Sequence, residues 1–294
     1  MSQAVLDSSL TAIGASEFRL FRDLIHRHTG IWLRDGKQVM LASRLSRRLR
    51  AHRLTNFADY YRYLERLPDN HHELGELINC VTTNKTSFFR EAHHFRFLAE
   101  TMIPETLAVS RRSTDRHALR IWSAACSTGE EPYSIAITLQ EARGRYAPLR
   151  GWDLSVMASD IDTAVLEKAA RGIYPAEEIG DMDTQLVKKY FLCGTSEMAG
   201  QVRIKKEVAA LVQFERINLM ERAWPVSGLF DAIFFRNALI YFRQDTQDLF
   251  LRRMIRCLHP GGYLILGHSE HIPWLHDVLE PLQQTIYRLR SAPR

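Results

Sequence analysis

Apolar positions in the first third of the chain recur at helical spacing. In EFRLFRDLIHRHTG, Phe18, Phe21, Leu24, Ile25 and His28 share one face, and Gly30 is placed to end the helix. VMLASRLSRRLRAHRL repeats leucine at Leu41, Leu45 and Leu49, with arginines between. NFADYYRYLERL opens on Asn56 as an N-cap and stops before Pro68. HHELGELINCVTTN and EAHHFRFLAETMI continue the period. These runs predict an all-α N-terminal domain over residues 17–110. A flexible terminus (1–16) precedes it and a polar linker (111–118) follows.

The rhythm changes at residue 119. LRIWSA, WDLSVMASDID, FDAIFFRN and GGYLILGHS read as strands, and QTIYRLR as a last one. Between them stand the helices EPYSIAITLQEA, TAVLEKAARG (with Gly172 as its stop) and DTQDLFLRRMIRCL. Strands alternating with helices predict an α/β domain over 119–290, its mostly parallel sheet covered on both faces. Residues 176–215 break the pattern. There a helical DTQLVKKYF precedes a Gly194–Gly200 turn flanked by short apolar pieces, which predicts a small antiparallel β insertion.

Composition narrows the class. Of 294 residues, 46% are apolar and 25% charged, the usage of an ordinary globular protein able to bury a core. No apolar run approaches the ~18 residues of a membrane span, and the N-terminus lacks a secretory pattern, so a cytoplasmic protein is expected. Cys80, Cys126, Cys193 and Cys257 match no zinc spacing and are expected as buried thiols rather than disulfides. His71-His72 and His93-His94 are adjacent, so on helices they are expected to diverge rather than share an ion, and no metal is predicted. The net charge of +5 fits nucleic acid, an anionic membrane or an acidic protein partner.

In open α/β sheets ligands bind beyond the carboxyl ends of the strands. The loop ACSTGEE (125–131) follows the first strand, and Gly129 allows close backbone approach. It is not a GxGxxG loop, and as a pattern it reads equally well as an ordinary strand–helix turn. The second strand ends in ASDID, where Asp160 or Asp162 can accept both hydroxyls of a ribose. We assign the helix cap to Asp162 and the ribose to Asp160, which together with the loop predicts a nucleoside ligand.

Four longer stretches carry more. TTNKTSFFREAHHF (82–95), WSAACSTGEEPYSIAI (122–137), ASDIDTAVLEKAARGIYP (158–175) and FFRNALIYF (234–242) closely resemble the CheR family of chemotaxis receptor methyltransferases. The likeness continues into HPGGYLILGHSE (259–270) and spans roughly 17–290. It implies a helical N-terminal domain, a Rossmann-like domain binding S-adenosylmethionine (SAM), and an inserted β subdomain. It also implies methyl transfer from SAM to glutamate carboxylates of methyl-accepting receptors. The implied cofactor contacts are Asn84, Thr86, Arg90, Glu131, Asp160, Asn218, Leu219, Arg236 and Asn237, with Arg90 and Tyr241 beside the transferred methyl. Each has a plainer alternative: Asn84 as a helix cap, Arg90 as a surface ion pair, Tyr241 as core.

The remaining charge suggests how substrate is found. Arg44, Arg47, Arg48, Arg50 and Arg53 are expected on the exposed side of a helix whose leucines face inward. That face is either simply solvated or docks the acidic helices of the receptor's cytoplasmic domain. The resemblance further implies, in some members, capture of a receptor C-terminal peptide by the β subdomain around 194–214. A monomer is expected, without nucleic acid and not embedded in the membrane. Two rivals stand beside this reading. A nucleic-acid methyltransferase suits the net charge but lacks aromatic interleaving in the basic cluster. A SAM-sensing adaptor without catalysis is the other.

Overall fold

The computed structural model describes residues 12–110 and 117–290. The predicted flexible terminus and linker fall largely outside the described residues. Four helices form the first lobe: α1 (Ala15–Thr29), α2 (Gln38–Ala51), α3 (Phe57–Glu65) and α4 (His72–Val81). The expected local signals operate. Gly30 ends α1 in the left-handed region (φ 74°), and the Asn56 side chain accepts from the Asp59 N–H at the start of α3. Phe18, Phe21, Leu24 and Ile25 pack with Leu41, Leu45 and Leu49 into a core of their own. His28 is the exception: Thr29 is buried in that last turn, while His28 borders a cavity.

α5 (His93–Phe97) and α6 (Ile103–Ser110), joined by a π turn, lie elsewhere than the 17–110 grouping predicts. Phe95, Phe97, Leu98, Met102, Ile103 and Leu107 pack against the sheet core, not against α1–α4. Their period is the same as that of α1–α4, and period alone does not say which core a helix joins.

The sheet is built from β1 (Ala118–Ala124), β2 (Asp153–Asp160), β6 (Val212–Arg216), β7 (Phe230–Phe235), β8 (Leu258–Leu266), β9 (Leu279–Pro281) and β10 (Ile286–Leu289). Its order is β6-β2-β1-β7-β8-β10-β9. The first five strands run parallel, while β10 and β9 close the edge antiparallel. Side chains alternate between two cores as a period of two requires: Ile121, Ala232, Phe234 and Ile265 to one face, Trp122, Ile233, Phe235 and Leu264 to the other. The principal covering helices are α7 (Glu130–Arg145), α8 (Thr163–Arg171) and α11 (Gln244–Ile255).

The insertion is smaller than expected. β3 (Ile173–Pro175), β4 (Phe191–Cys193) and β5 (Gln201–Ile204) make a three-stranded antiparallel sheet in the order β3-β5-β4, with α9 (Thr184–Tyr190) packed beside it. The short α10 (Lys206–Ala209) leads out of it. β6, placed inside the insertion by the sequence reading, instead extends the main sheet beside β2. Of the cysteines, Cys80 and Cys126 are buried, but Cys193 is exposed on β4. Among the described residues no helix is long and apolar enough to cross a membrane.

Candidate functional site

A cavity of about 600 Å³ opens where the helical lobe meets the carboxyl ends of β1, β2 and β7. Thr82–Thr86, Arg90, Ala125–Ser127, Glu131, Asp160, Arg236–Ala238 and Tyr241 line it from the motifs that carry the family resemblance. Trp32, Arg34, Lys37, Met40 and Arg44 line it from the helical lobe.

Its floor is the turn after β1. Ala125 (φ 58°), Ser127 (φ 52°) and Gly129 (φ 99°) all occupy the left-handed region. Asn237 does so on another wall, and Phe89 and Glu91 do so on either side of Arg90. Non-glycine residues held this way cost about 1–3 kcal/mol each and mark backbone fixed by its surroundings. At Gly129 a Cβ would stand 2.8 Å from both Ala169 Cβ and the Tyr174 hydroxyl, so only glycine fits.

Asp160, at the end of β2, accepts from the N–H groups of Ser127 (2.8 Å) and Asp162 (3.0 Å). Burial pushes its carboxyl up to about 6. Asp162 caps α8 as assigned, accepting from Ala164 and Val165. Its second oxygen accepts from the Thr82 hydroxyl (2.6 Å) and the Asn84 amide (2.8 Å). Asn84 thus caps no helix itself. It ties the segment between the lobes to the cap of α8, and its own carbonyl accepts from the Ser127 hydroxyl (3.0 Å).

Arg236 sits at the centre of the far wall, with 1% of its side chain exposed. It pairs with Glu131 (3.0 Å) and Glu91 (3.2 Å), and donates to the carbonyl of Arg90. Glu131 also accepts from Ser123 (2.7 Å). Burial pushes the Glu131 carboxyl up even against Arg236. Burial likewise lifts Glu91, but Arg236, His268 and Asn237 outweigh it and hold that carboxyl down at about 2. The guanidinium of Arg90 lines the cavity and donates to the Lys85 carbonyl (3.0 Å). Tyr241 is half-buried, and among the described residues its hydroxyl has no hydrogen-bond partner. Its carbonyl accepts from the Trp32 N–H (2.8 Å), which ties the helical lobe to the site.

Of the nine expected cofactor residues, Asn84, Thr86, Arg90, Glu131, Asp160, Arg236 and Asn237 line this cavity, and Tyr241 joins them. Asn218 and Leu219 do not. The Asn218 amide donates to the His28 carbonyl (2.7 Å) and borders a second cavity, of about 460 Å³. Leu219 packs against the sheet core.

The docking arginines divide. Arg47, Arg50 and Arg53 are exposed as expected, but Arg44 and Arg48 are not. Arg44 donates to the carbonyls of Val81 and Thr82 at the end of α4 and to the Thr83 hydroxyl (3.0 Å). Arg48 pairs with buried Glu73 and with Glu76. The cause is α4, which packs on that side of α2 and brings carboxylates and free carbonyls with it.

The histidine expectation also fails locally. The rings of His93 and His94 lie 4.0 Å apart, and their nitrogens stand with a Glu91 oxygen within 4.8 Å. Both begin α5, where side chains lean back toward the helix N-terminus. Glu91 there is committed to Arg236.

Sequence reasoning missed Glu91, Ser123 and Glu270. A carboxylate next to Arg90 and another directly after a buried strand were the available signals.

The profile of the CheR methyltransferase SAM-binding domain matches residues 84–288, and that of the CheR methyltransferase all-alpha domain matches residues 16–82. The chain is 46% identical over 272 residues to chemotaxis protein methyltransferase 2 of Pseudomonas aeruginosa, covering 92% of each. It is 47% identical over 279 residues to the chemotaxis protein methyltransferase of Salmonella typhimurium, covering 95% of this chain and 91% of that one. To the Escherichia coli protein of the same name it is 46% identical over 280 residues, covering 95% and 92%. A SAM-binding α/β domain joined to an all-α lobe across one cavity, matched along both parts, places this chain in the CheR methyltransferase family.

Proposed function

We propose that the protein methylates glutamate side chains of methyl-accepting chemotaxis receptors, using SAM bound in the cavity between the lobes. One observation carries the reading: the cavity's acids stand on the side of the strand ends, where buried Arg236 is already paired with Glu131 and Glu91, and its other bases stand on the opposite side. Glu131 and Asp160 lie at the floor, while Arg34, Lys37, Arg44, Lys85 and Arg90 ring the side formed by the helical lobe and residues 83–90. A cationic donor suits the first zone and a carboxylate substrate the second.

The residues fit such a donor. The Asp160 carboxylate accepts the N–H groups of Ser127 and Asp162, with Ile161 also acting on it, and still has lone pairs for ribose hydroxyls. Glu131 offers anionic oxygens to an amino group, and Asn84, Thr86, Arg236 and Asn237 frame the space between. Bound SAM supplies a methyl carbon on a sulfonium, which leaves as a neutral thioether when a carboxylate oxygen attacks that carbon. Glutamate has an ordinary pKa of ~4.3 and arrives ionised, so no general base is needed. The protein's work is alignment, which can contribute roughly 7–11 kcal/mol. Arg90 holds the substrate carboxylate by its planar fork, and the unpartnered Tyr241 hydroxyl orients it. Arg236 fixes the Arg90 backbone from behind.

Exposed Arg47, Arg50 and Arg53 offer a basic face to an acidic receptor helix. β4 offers a sheet edge, with Leu192 half exposed, to which a receptor peptide can add as a strand. The relatives' names, chemotaxis protein methyltransferase, support this substrate class.

The test is incubation with methyl-labelled SAM and receptor cytoplasmic fragments, followed by peptide mapping. Base-labile label on glutamate is expected. Binding of SAM without label transfer would mean an adaptor, and label on RNA or DNA would mean a nucleic-acid enzyme.

A further inference from the structure

Glu270 lies three residues beyond the Gly267 turn at the end of β8 and is 3% exposed. A carboxylate that deep is rarely left without a cation. Yet among the described residues no lysine, arginine or histidine forms an ion pair with Glu270. Its partners are backbone N–H groups. Oε2 accepts from Asn237 (2.8 Å) and Gly267 (2.7 Å), and Oε1 accepts from Leu239 (2.8 Å). The N–H of Ile240 also acts on it. The carboxylate thus fills a nest of converging donors, most of them from the loop that follows β7.

That loop forms one wall of the cavity. Asn237 stands in the left-handed region at φ 57°. Ile240, 48% exposed, and Tyr241 follow on the cavity lining. Close packing makes the arrangement specific: a Cβ on Gly267 would stand 2.5 Å from Asn237 Nδ2 and 2.8 Å from Glu270 Oε2. Tyr241 in turn receives the Trp32 N–H from the helical lobe, so the shape of this loop also sets the contact between lobes.

We infer that Glu270, which lines neither of the two cavities described above, is a positioning residue for methyl transfer. Its charge gathers the N–H groups of the 237–240 loop and thereby sets the Tyr241 hydroxyl against the reacting carboxylate. The inference rests on the methyltransferase reading above. It assigns Glu270 to the wall that carries Asn237 and Tyr241 and not to the cofactor floor, since Asp160 and Glu131 hold the floor without it.

The test is Glu270→Gln in the full chain. The amide keeps the shape, loses the charge and turns a donor toward at least one backbone N–H. SAM affinity by calorimetry should stay within about threefold, while kcat on receptor fragments falls at least about tenfold with KM little changed. Hydrogen exchange should speed up for the peptide spanning 237–242 and stay unchanged in β1 and β7. Wild-type kcat in the variant would overturn the proposal. So would loss of protection spread evenly through the sheet, which would make Glu270 merely structural. If Glu270→Gln is insoluble, Glu270→Asp is read the same way, with the charge kept and the reach shortened. Absence of methylation in the wild-type protein would instead strike the underlying reading.

Discussion

Arg236 and Glu131 meet at 3.0 Å although 105 residues separate them in the chain, and only 1% of the arginine side chain is exposed. The pair joins the end of β7 to the start of α7, and Glu91 extends it to the segment carrying Arg90. Removing one partner of a buried pair leaves an uncompensated charge, at a cost of about 3–5 kcal/mol. Arg236→Met, which leaves Glu131 with the Ser123 hydroxyl and Glu91 with His268 and Asn237, should therefore lower the thermal midpoint by several degrees and abolish SAM binding. A midpoint within one degree of wild type would show that the network contributes no stability.

Asp160 gives a pH signature. Its folded value, about 6, lies above the usual ~3.9 of an aspartate. Above 6 it is ionised and accepts ribose hydroxyls; below, it is protonated and loses one acceptor. SAM affinity should fall as pH drops through about 6. The stability sign is opposite. A raised carboxyl pKa penalises the folded state when ionised, and that penalty fades on acidification, so this group does not lower the melting temperature in the same window. Glu91, held at about 2, contributes stability that is present above the ordinary glutamate value of ~4.3 and lost only at lower pH. Calorimetric titration and melting curves across pH separate the two. Asp160→Asn should bind SAM roughly tenfold or more weakly, with the midpoint near 6 gone.

Arg90→Ala should cut kcat by about two to three orders of magnitude, the usual loss when one positioned donor is removed at a reacting group. The fold should be unaffected, because among the described residues the Arg90 side chain hydrogen-bonds only to the Lys85 carbonyl. Arg90→Lys should recover part of the rate. Turnover by the alanine variant equal to wild type, with SAM bound, would remove Arg90 from the mechanism.

The two kinds of arginine on α2 should respond differently. Arg48→Ala leaves Glu73, which is 2% exposed, with only the Tyr60 hydroxyl (2.6 Å) and His52 (2.8 Å) among the described residues, and should cost about 1–3 kcal/mol of stability. Arg47→Glu and Arg53→Glu change exposed positions. Arg53→Glu should leave melting nearly unchanged and Arg47→Glu should lower it slightly, because the Arg47 Nε donates to the Cys80 Sγ (3.0 Å); both should raise KM for receptor fragments, more at low salt than at high, because screening is strong beyond ~8–10 Å. Steady-state kinetics at two ionic strengths decide it, and a KM indifferent to both variants would dismiss the docking face.

Local chemistry was readable from the chain alone. Asn56 and Asp162 cap helices with donors two or three residues away, Gly30 and Gly172 stop them, and the continuous apolar runs in β7 and β8 mark buried strands. These depend on neighbours in sequence, and so did the strand-end position that marked Asp160 and the motif likeness that marked Glu131, Arg90 and Tyr241. Which core α5 and α6 join, that β6 is an edge of the main sheet, and that Arg44 and Arg48 turn inward were decided by tertiary structure. So was the grip of Arg236 on Glu131 and Glu91, and of Glu270 on the loop after β7. The physical reason is common to them. A side chain's period or charge fixes what it can bind, but only the packing of distant segments fixes which partner removes it from water.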